Sequence, residues 1–277
     1  VSSSSGTDAL AKLLSDGDRV TVQLVREQLA GQGEDAIPEL QRLASSHDPC
    51  VAEHAREILQ EIHRRSAKVD FDLLCRFFPE HGDLETACWE LSKALLPADE
   101  IASHQKRLNS WGRQLLIRIS GAVSNRERVR LLSEMMSNEL GFRGNAEDYY
   151  NPGNSLLGRV METRNGLPIT LTAVAMFLAS RAGMSVCGIN LPGHFLARHG
   201  EVLFDPFNRG KIVTEADCRD ILRSQNLCFR RDYLRPATSR QMLRRILMNL
   251  VYVYDLQEEP EQSLMIRGWM DSLCCDS

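Results

Sequence analysis

Two side chains in the stretch GINLPGHFLARHGEVLFDPFNRG, residues 188–210, could do chemistry together: His194 and Asp205. A carboxylate holds an imidazole in one tautomer and stabilises its protonated form. Such a pair serves as a general base or activates a nucleophile. Both lie in apolar surroundings, PGHFLA and LFDPF, where burial without a partner would be costly. Asn190 and Asn208 in the same stretch could orient a substrate. A polar loop upstream, FRGNAEDYYNPGNS (142–155), adds Asn145, Asp148, Tyr149 and Asn154. Loops of this length inside compact domains often carry function.

A hairpin must position the pair. Gly200 in RHGE supplies positive φ at low cost. With His199 and Gly200 as the two loop residues, opposed positions have indices that sum to 399, and His194 faces Asp205 directly. Directly opposed Cβ atoms lie about 4.5–5.5 Å apart. A four-residue loop keeps this register, and a three-residue loop sends one side chain to the other face. Strands are predicted at about 186–191, 194–198 and 201–205. PITLTAVAMFLASRAG (168–183) predicts a central helix, apolar nearly all round, with Pro168 in its first turn and Gly183 at its end.

Helices dominate elsewhere. Apolar spacing predicts them over 18–30, 36–44 and 51–62, with Ile37, Leu40, Leu43, Ile58 and Ile62 facing inward. Asp83, Asn125, Ser155 and Thr214 stand at candidate helix starts, Pro97 opens a longer segment to about Ile119, and Gly166 closes the Ser155 helix. The Asp-Pro turn at 48–49 allows a HEAT-type repeat or simply two packed helices. A final helix pair breaks near Glu258–Pro260 and reads as one tetratricopeptide-type unit, soon after which the sequence stops.

The composition is that of a globular chain: 277 residues, 43% hydrophobic, 25% charged, net charge −4. No global field draws it to nucleic acid, and the local basic stretch RDYLRPATSRQMLRR (231–245) reads as a solvated face. No apolar run approaches the ~20 residues of a membrane span. The N-terminal VSSSSGTD lacks the basic and apolar regions of a signal peptide, and Val1–Thr7 is set aside from the fold. Eight scattered cysteines lack metal spacing, which points to reduced thiols, a cytoplasmic setting, no metal and no cofactor.

GNAEDYYNPGNSLLGRVMETRNGLPITL, GINLPGHFLAR and FDPFNRG, in that order, resemble the bacterial SirB-type family with a transglutaminase-like core, a core similar to one in some eukaryotic F-box proteins. The resemblance covers roughly 70–256. It implies a predominantly helical α+β fold with a papain-like core, in which about three antiparallel strands pack on a central helix. The expected domains are a HEAT-like region (8–66), the core with its helical lead-in (70–235) and a tetratricopeptide-like pair (236–277), possibly cut short.

The resemblance also implies a Cys-His-Asp triad, in a pocket that Arg164, Pro168 and Thr170 complete. His194 and Asp205 match its histidine and aspartate. The cysteine position falls on or next to Pro168, where NGLPITLT offers only the hydroxyls of Thr170 and Thr172. Cys187 lies on a strand among apolar neighbours and reads as a packed thiol. The expectation is therefore a pseudoenzyme: a protein-binding or regulatory module whose helical flanks hold a protein or peptide partner. The alternative is an amide or isopeptide hydrolase in which His194 and Asp205 activate water or a non-cysteine nucleophile.

Overall fold

The computed structural model describes residues 2–16, 18–96 and 101–274. The chain divides into two compact units, Val1–Asp70 with Lys93–Asp99, and Phe71–Ser92 with Glu100–Ser277. The first is helical: α1 (Ser2–Leu14), α2 (Arg19–Gln32), α3 (Ile37–Leu43) and the opening turns of α4 (Pro49–Phe77). Residues 2–7, set aside in the sequence, thus form the start of α1. Asp18 caps α2 by accepting from the Val20 and Thr21 N–H groups. Leu29, Leu40, Leu43, Ile58 and Ile62 share one core, as their spacing predicts, and Leu14 of α1 joins it. α4 runs past the predicted end near 62, because no glycine or proline interrupts the sequence until Pro79.

The second unit continues with α5 (Leu84–Leu95), which Asp83 caps through the Thr86 N–H. Pro97 lies outside the described residues, and α6 is described from Ile101 to Ile119. α7 (Asn125–Glu134) is capped by Ser124, one residue before the expected start, and widens into a π turn at Met135–Glu139. β1 (Arg143–Gly144) pairs in parallel with β2 (Asn165–Gly166) on either side of α8 (Leu157–Thr163). Ser155 does not cap α8: it ends a 3₁₀ turn, and Leu156 takes the cap position without a side-chain bond. Arg164, in the left-handed conformation at φ 64°, ends α8 in place of Gly166.

α9 (Pro168–Arg181) is the centre of this unit. Every residue from Pro168 to Ala179 except Met176 is buried. Arg181 closes it with a bidentate pair to Glu85 at 2.7 and 2.8 Å. Gly112 on α6 leaves room for that arginine, since a Cβ there would meet Arg181 Cβ at 2.3 Å. Beside α9 a four-stranded antiparallel sheet runs in order β3 (Val186–Ile189), β4 (Leu196–His199), β5 (Val202–Asp205), β6 (Lys211–Val213). The fourth strand, only KIV, was too short to read from its pattern. α10 (Glu215–Ser224), capped by Thr214 as expected, then α11 (Ser239–Leu256) and α12 (Pro260–Cys274) complete the described chain.

The hairpin register differs from the sequence expectation. β4 and β5 pair Ala197 with Phe204, Arg198 with Leu203 and His199 with Val202, so opposed indices sum to 401. The loop is Gly200-Glu201, with Gly200 at φ 57°. His199 belongs to the strand because its ring is buried and its Nδ1 bonds the Ser185 carbonyl at 2.8 Å. His194 consequently lies two residues before β4 and not opposite Asp205. A shift of two leaves every side chain on its original face.

Candidate active site

Asp205 ends β5, and the turn after it folds back on the carboxylate. Its Oδ1 accepts from the backbone N–H groups of Phe207 (3.0 Å) and Asn208 (3.3 Å). Its Oδ2 accepts from Asn208 Nδ2 and lies on His194 Nε2, each at 2.7 Å. Burial alone would raise the acid's pKa. The His194 hydrogen bond and charge, with the Asn208 contacts, outweigh it and hold Asp205 below the usual carboxylate range. Asp205 therefore stays ionised at neutral pH.

His194 enters from the other side of the hairpin. Gly193, at φ 80°, turns the chain so that the His194 N–H reaches the Leu191 carbonyl at 2.9 Å. The ring stands edge-on to Phe207, with centroids 6.2 Å apart. The carboxylate takes Nε2, so the neutral tautomer carries its proton there and Nδ1 holds the lone pair. The side chain keeps 16% of its surface exposed against 6% for Asp205. The pair thus joins a partly exposed ring to a buried carboxylate.

The Asn-rich loop packs on the same aromatic. The Gly144 N–H donates to the Phe207 carbonyl, and a Cβ on Gly144 would meet the Phe207 ring at 2.6 Å. Tyr149 also stands edge-on to Phe207, at 6.1 Å. Asn154 knots the loop from within. Its Nδ2 donates to the Asp148 and Tyr149 carbonyls at 2.7 and 3.2 Å, and its Oδ1 accepts from Asn145 Nδ2 at 3.0 Å. Asp148 in turn holds Asn151 Nδ2 at 2.8 Å. These are loop-building contacts, which gives Asn145, Asp148 and Asn154 supporting places.

The start of α9 is equally committed. Pro168 occupies its first position, where the missing N–H costs nothing. Thr170 Oγ1 donates to the Asn154 carbonyl at 2.6 Å and accepts from the Leu167 N–H at 3.0 Å. The threonine is 1% exposed. Thr172 Oγ1 is buried and has no hydrogen-bond partner among the described residues. No cysteine stands at this helix start. Cys187 Sγ lies 3.7 Å from the Arg198 carbonyl and packs on the sheet's apolar cluster.

Two expected pocket residues stand elsewhere. The Arg164 guanidinium stacks over Trp111 and Phe142 at 4.7 and 4.9 Å, where burial lowers its pKa. Asn190 is exposed and lines a groove with α11. Phe207 was missed in the sequence because an aromatic beside Pro206 reads as core. Asn208 was expected to meet substrate, but its amide is spent on Asp205. Among the described residues no group of three or more His, Cys, Asp or Glu could hold a metal.

A family model described as Transglutaminase-like superfamily matches residues 102–248, more than half of the chain. A UPF0162 protein of Xylella fastidiosa is 34% identical over 140 residues, 46% of this chain and 49% of that protein. A UPF0162 protein of Pseudomonas aeruginosa is 31% identical over 185 residues, 65% of this chain and 67% of that one. The mouse F-box only protein 21 is 27% identical over 103 residues, 33% of this chain and 16% of that protein. The chain spans about half the length of the Xylella relatives it matches. No solved structure matches it.

Proposed function

Because this chain belongs to the transglutaminase-like superfamily, we propose that its core binds a polypeptide at the face carrying His194, Asp205 and the Asn-rich loop, without thiol transfer chemistry. The observation that carries this reading is the contrast between an intact, Asp205-held imidazole and a helix start without a cysteine, where the Thr170 hydroxyl is already consumed and the Thr172 hydroxyl is fully buried. A nucleophile must be free to leave its hydrogen bonds. Freeing Thr170 Oγ1 would strand the Asn154 carbonyl and the Leu167 N–H in a buried site. Under this reading the protein is a pseudoenzyme of the bacterial cytoplasm, with its helical flanks as partner surfaces.

The lone pair on His194 Nδ1 supports a second reading, an amide or isopeptide hydrolase. Nδ1 would take a proton from water as the water oxygen bonds the amide carbon. Collapse would break the C–N bond and return that proton to the departing amine. Asp205 would stabilise the imidazolium between the two steps.

One pair of measurements separates them. Glutamine-containing and isopeptide-linked peptides are offered to the wild type and to His194→Ala, with ammonia or amine release and peptide binding both recorded. Binding by both proteins without release is the expected result. Release by the wild type that His194→Ala abolishes would move the assignment to the hydrolase. Absence of binding by either would end the polypeptide-binding reading.

A further inference from the structure

A groove of about 670 Å³ runs along the N-terminal half of α11, bounded on its far side by Asn190 and residues 232–238. Its wall is firmly built. Arg198 Nη1 donates to the Leu234 carbonyl at 3.0 Å, the Ala237 N–H to the Gly188 carbonyl at 2.8 Å, and Thr238 Oγ1 to Glu80 at 2.6 Å. The groove's charges do not balance. Arg235 is paired with Asp232 at 2.9 Å. Arg244 and Arg245, adjacent on α11, line the groove and have no ion pair among the described residues. A chain of net charge −4 therefore presents a positive trough here.

A series of aromatic contacts joins α11 to the imidazole. Tyr150, which Tyr252 of α11 meets, stands edge-on to Tyr149 with ring centroids 5.5 Å apart. Tyr149 packs on Phe207, and Phe207 on His194. Beyond the arginines α11 exposes Met248 and Tyr252, at 42% and 54%, and Tyr252 lies 5.8 Å from Tyr150. Two unpaired guanidiniums followed by an apolar shelf match a segment with carboxylates at one end and apolar side chains at the other.

We infer that this groove selects acidic polypeptide segments, with Arg244 and Arg245 holding side-chain carboxylates while the following residues cross the Tyr149–Phe207 aromatics toward His194. The inference rests on the polypeptide-binding reading and names its ligand class. It also gives the basic stretch 231–245 a purpose beyond solvation.

The test is a displayed library of random twelve-residue peptides sorted on the full chain and on the double variant Arg244→Glu/Arg245→Glu, both checked for an unchanged thermal midpoint. Asp and Glu are expected to be enriched on the wild type, against the chain's own negative charge. The double variant should bind the selected acidic peptides about tenfold more weakly or worse and favour Lys- and Arg-rich ones. Enrichment without charge preference would overturn the inference and leave polypeptide binding standing. Acidic selection that the double variant keeps, or selected peptides displaced by millimolar free glutarate, would also overturn it. No enrichment on either protein would end both the inference and the reading beneath it.

Discussion

The two ends of the candidate pocket use the same kinds of group in opposite ways. At the sheet end, the four contacts to Asp205 fix the acid, and the acid fixes only one nitrogen of His194. At the helix end, Thr170 gives its only proton to Asn154 and accepts from Leu167. One end keeps a ring lone pair outside its network, and the other puts the Thr170 hydroxyl inside. Polarity does not separate the two. What separates His194 from Thr170 is whether a donor or acceptor is left over once the backbone has been served, and Thr172, whose hydroxyl is left over, is fully buried.

The largest effect should come from removing the sheet-end anchor. Asp205→Ala strands a ring nitrogen, the Asn208 amide and two backbone N–H groups, and should cost about 3 kcal/mol in urea denaturation. A loss under about 1 kcal/mol would mean that the buried clamp does little. Asn154→Ala should cost about 2 kcal/mol and open the 144–155 loop to limited proteolysis. At the helix end, Thr170→Val should cost roughly 1–2 kcal/mol, while Thr170→Ser stays within about 0.5 kcal/mol. If both leave stability unchanged, the hydroxyl is not the structural group argued above.

The smallest expected effect is the pH response. The folded-state pKa of Asp205 is depressed below its ordinary value. Its stabilisation is therefore fully present above the ordinary Asp range and is lost as pH falls through the folded value. Unfolding midpoints measured from pH 6 down to pH 3 should fall less steeply for Asp205→Asn than for the wild type. Equal slopes would show that Asp205 is not held ionised by its clamp.

The sequence made the face of the hairpin legible but not its register. Gly200 fixed where the chain turns, and apolar flanks fixed which sides are buried. The one-residue choice of loop partner hung on whether His199 is a loop or a strand residue, which depends on a tertiary bond to the Ser185 carbonyl. α9 was legible because its apolar pattern, Pro168 and Gly183 all agree. Arg164 was not, since stacking on Trp111 and Phe142 joins side chains distant in sequence. Asn208 showed the right address and the wrong employer, because an amide three residues after a carboxylate serves that carboxylate before any ligand.

The two-residue offset in the hairpin has an evolutionary consequence. Strand faces repeat with period two, so the His194–Asp205 pairing is a matter of parity. Insertions or deletions of two residues in the Gly200–Glu201 turn can drift through a lineage while both side chains keep their side. A single-residue change reverses one strand and separates them at once. Turn length in related chains should therefore vary in even steps wherever the pair is retained.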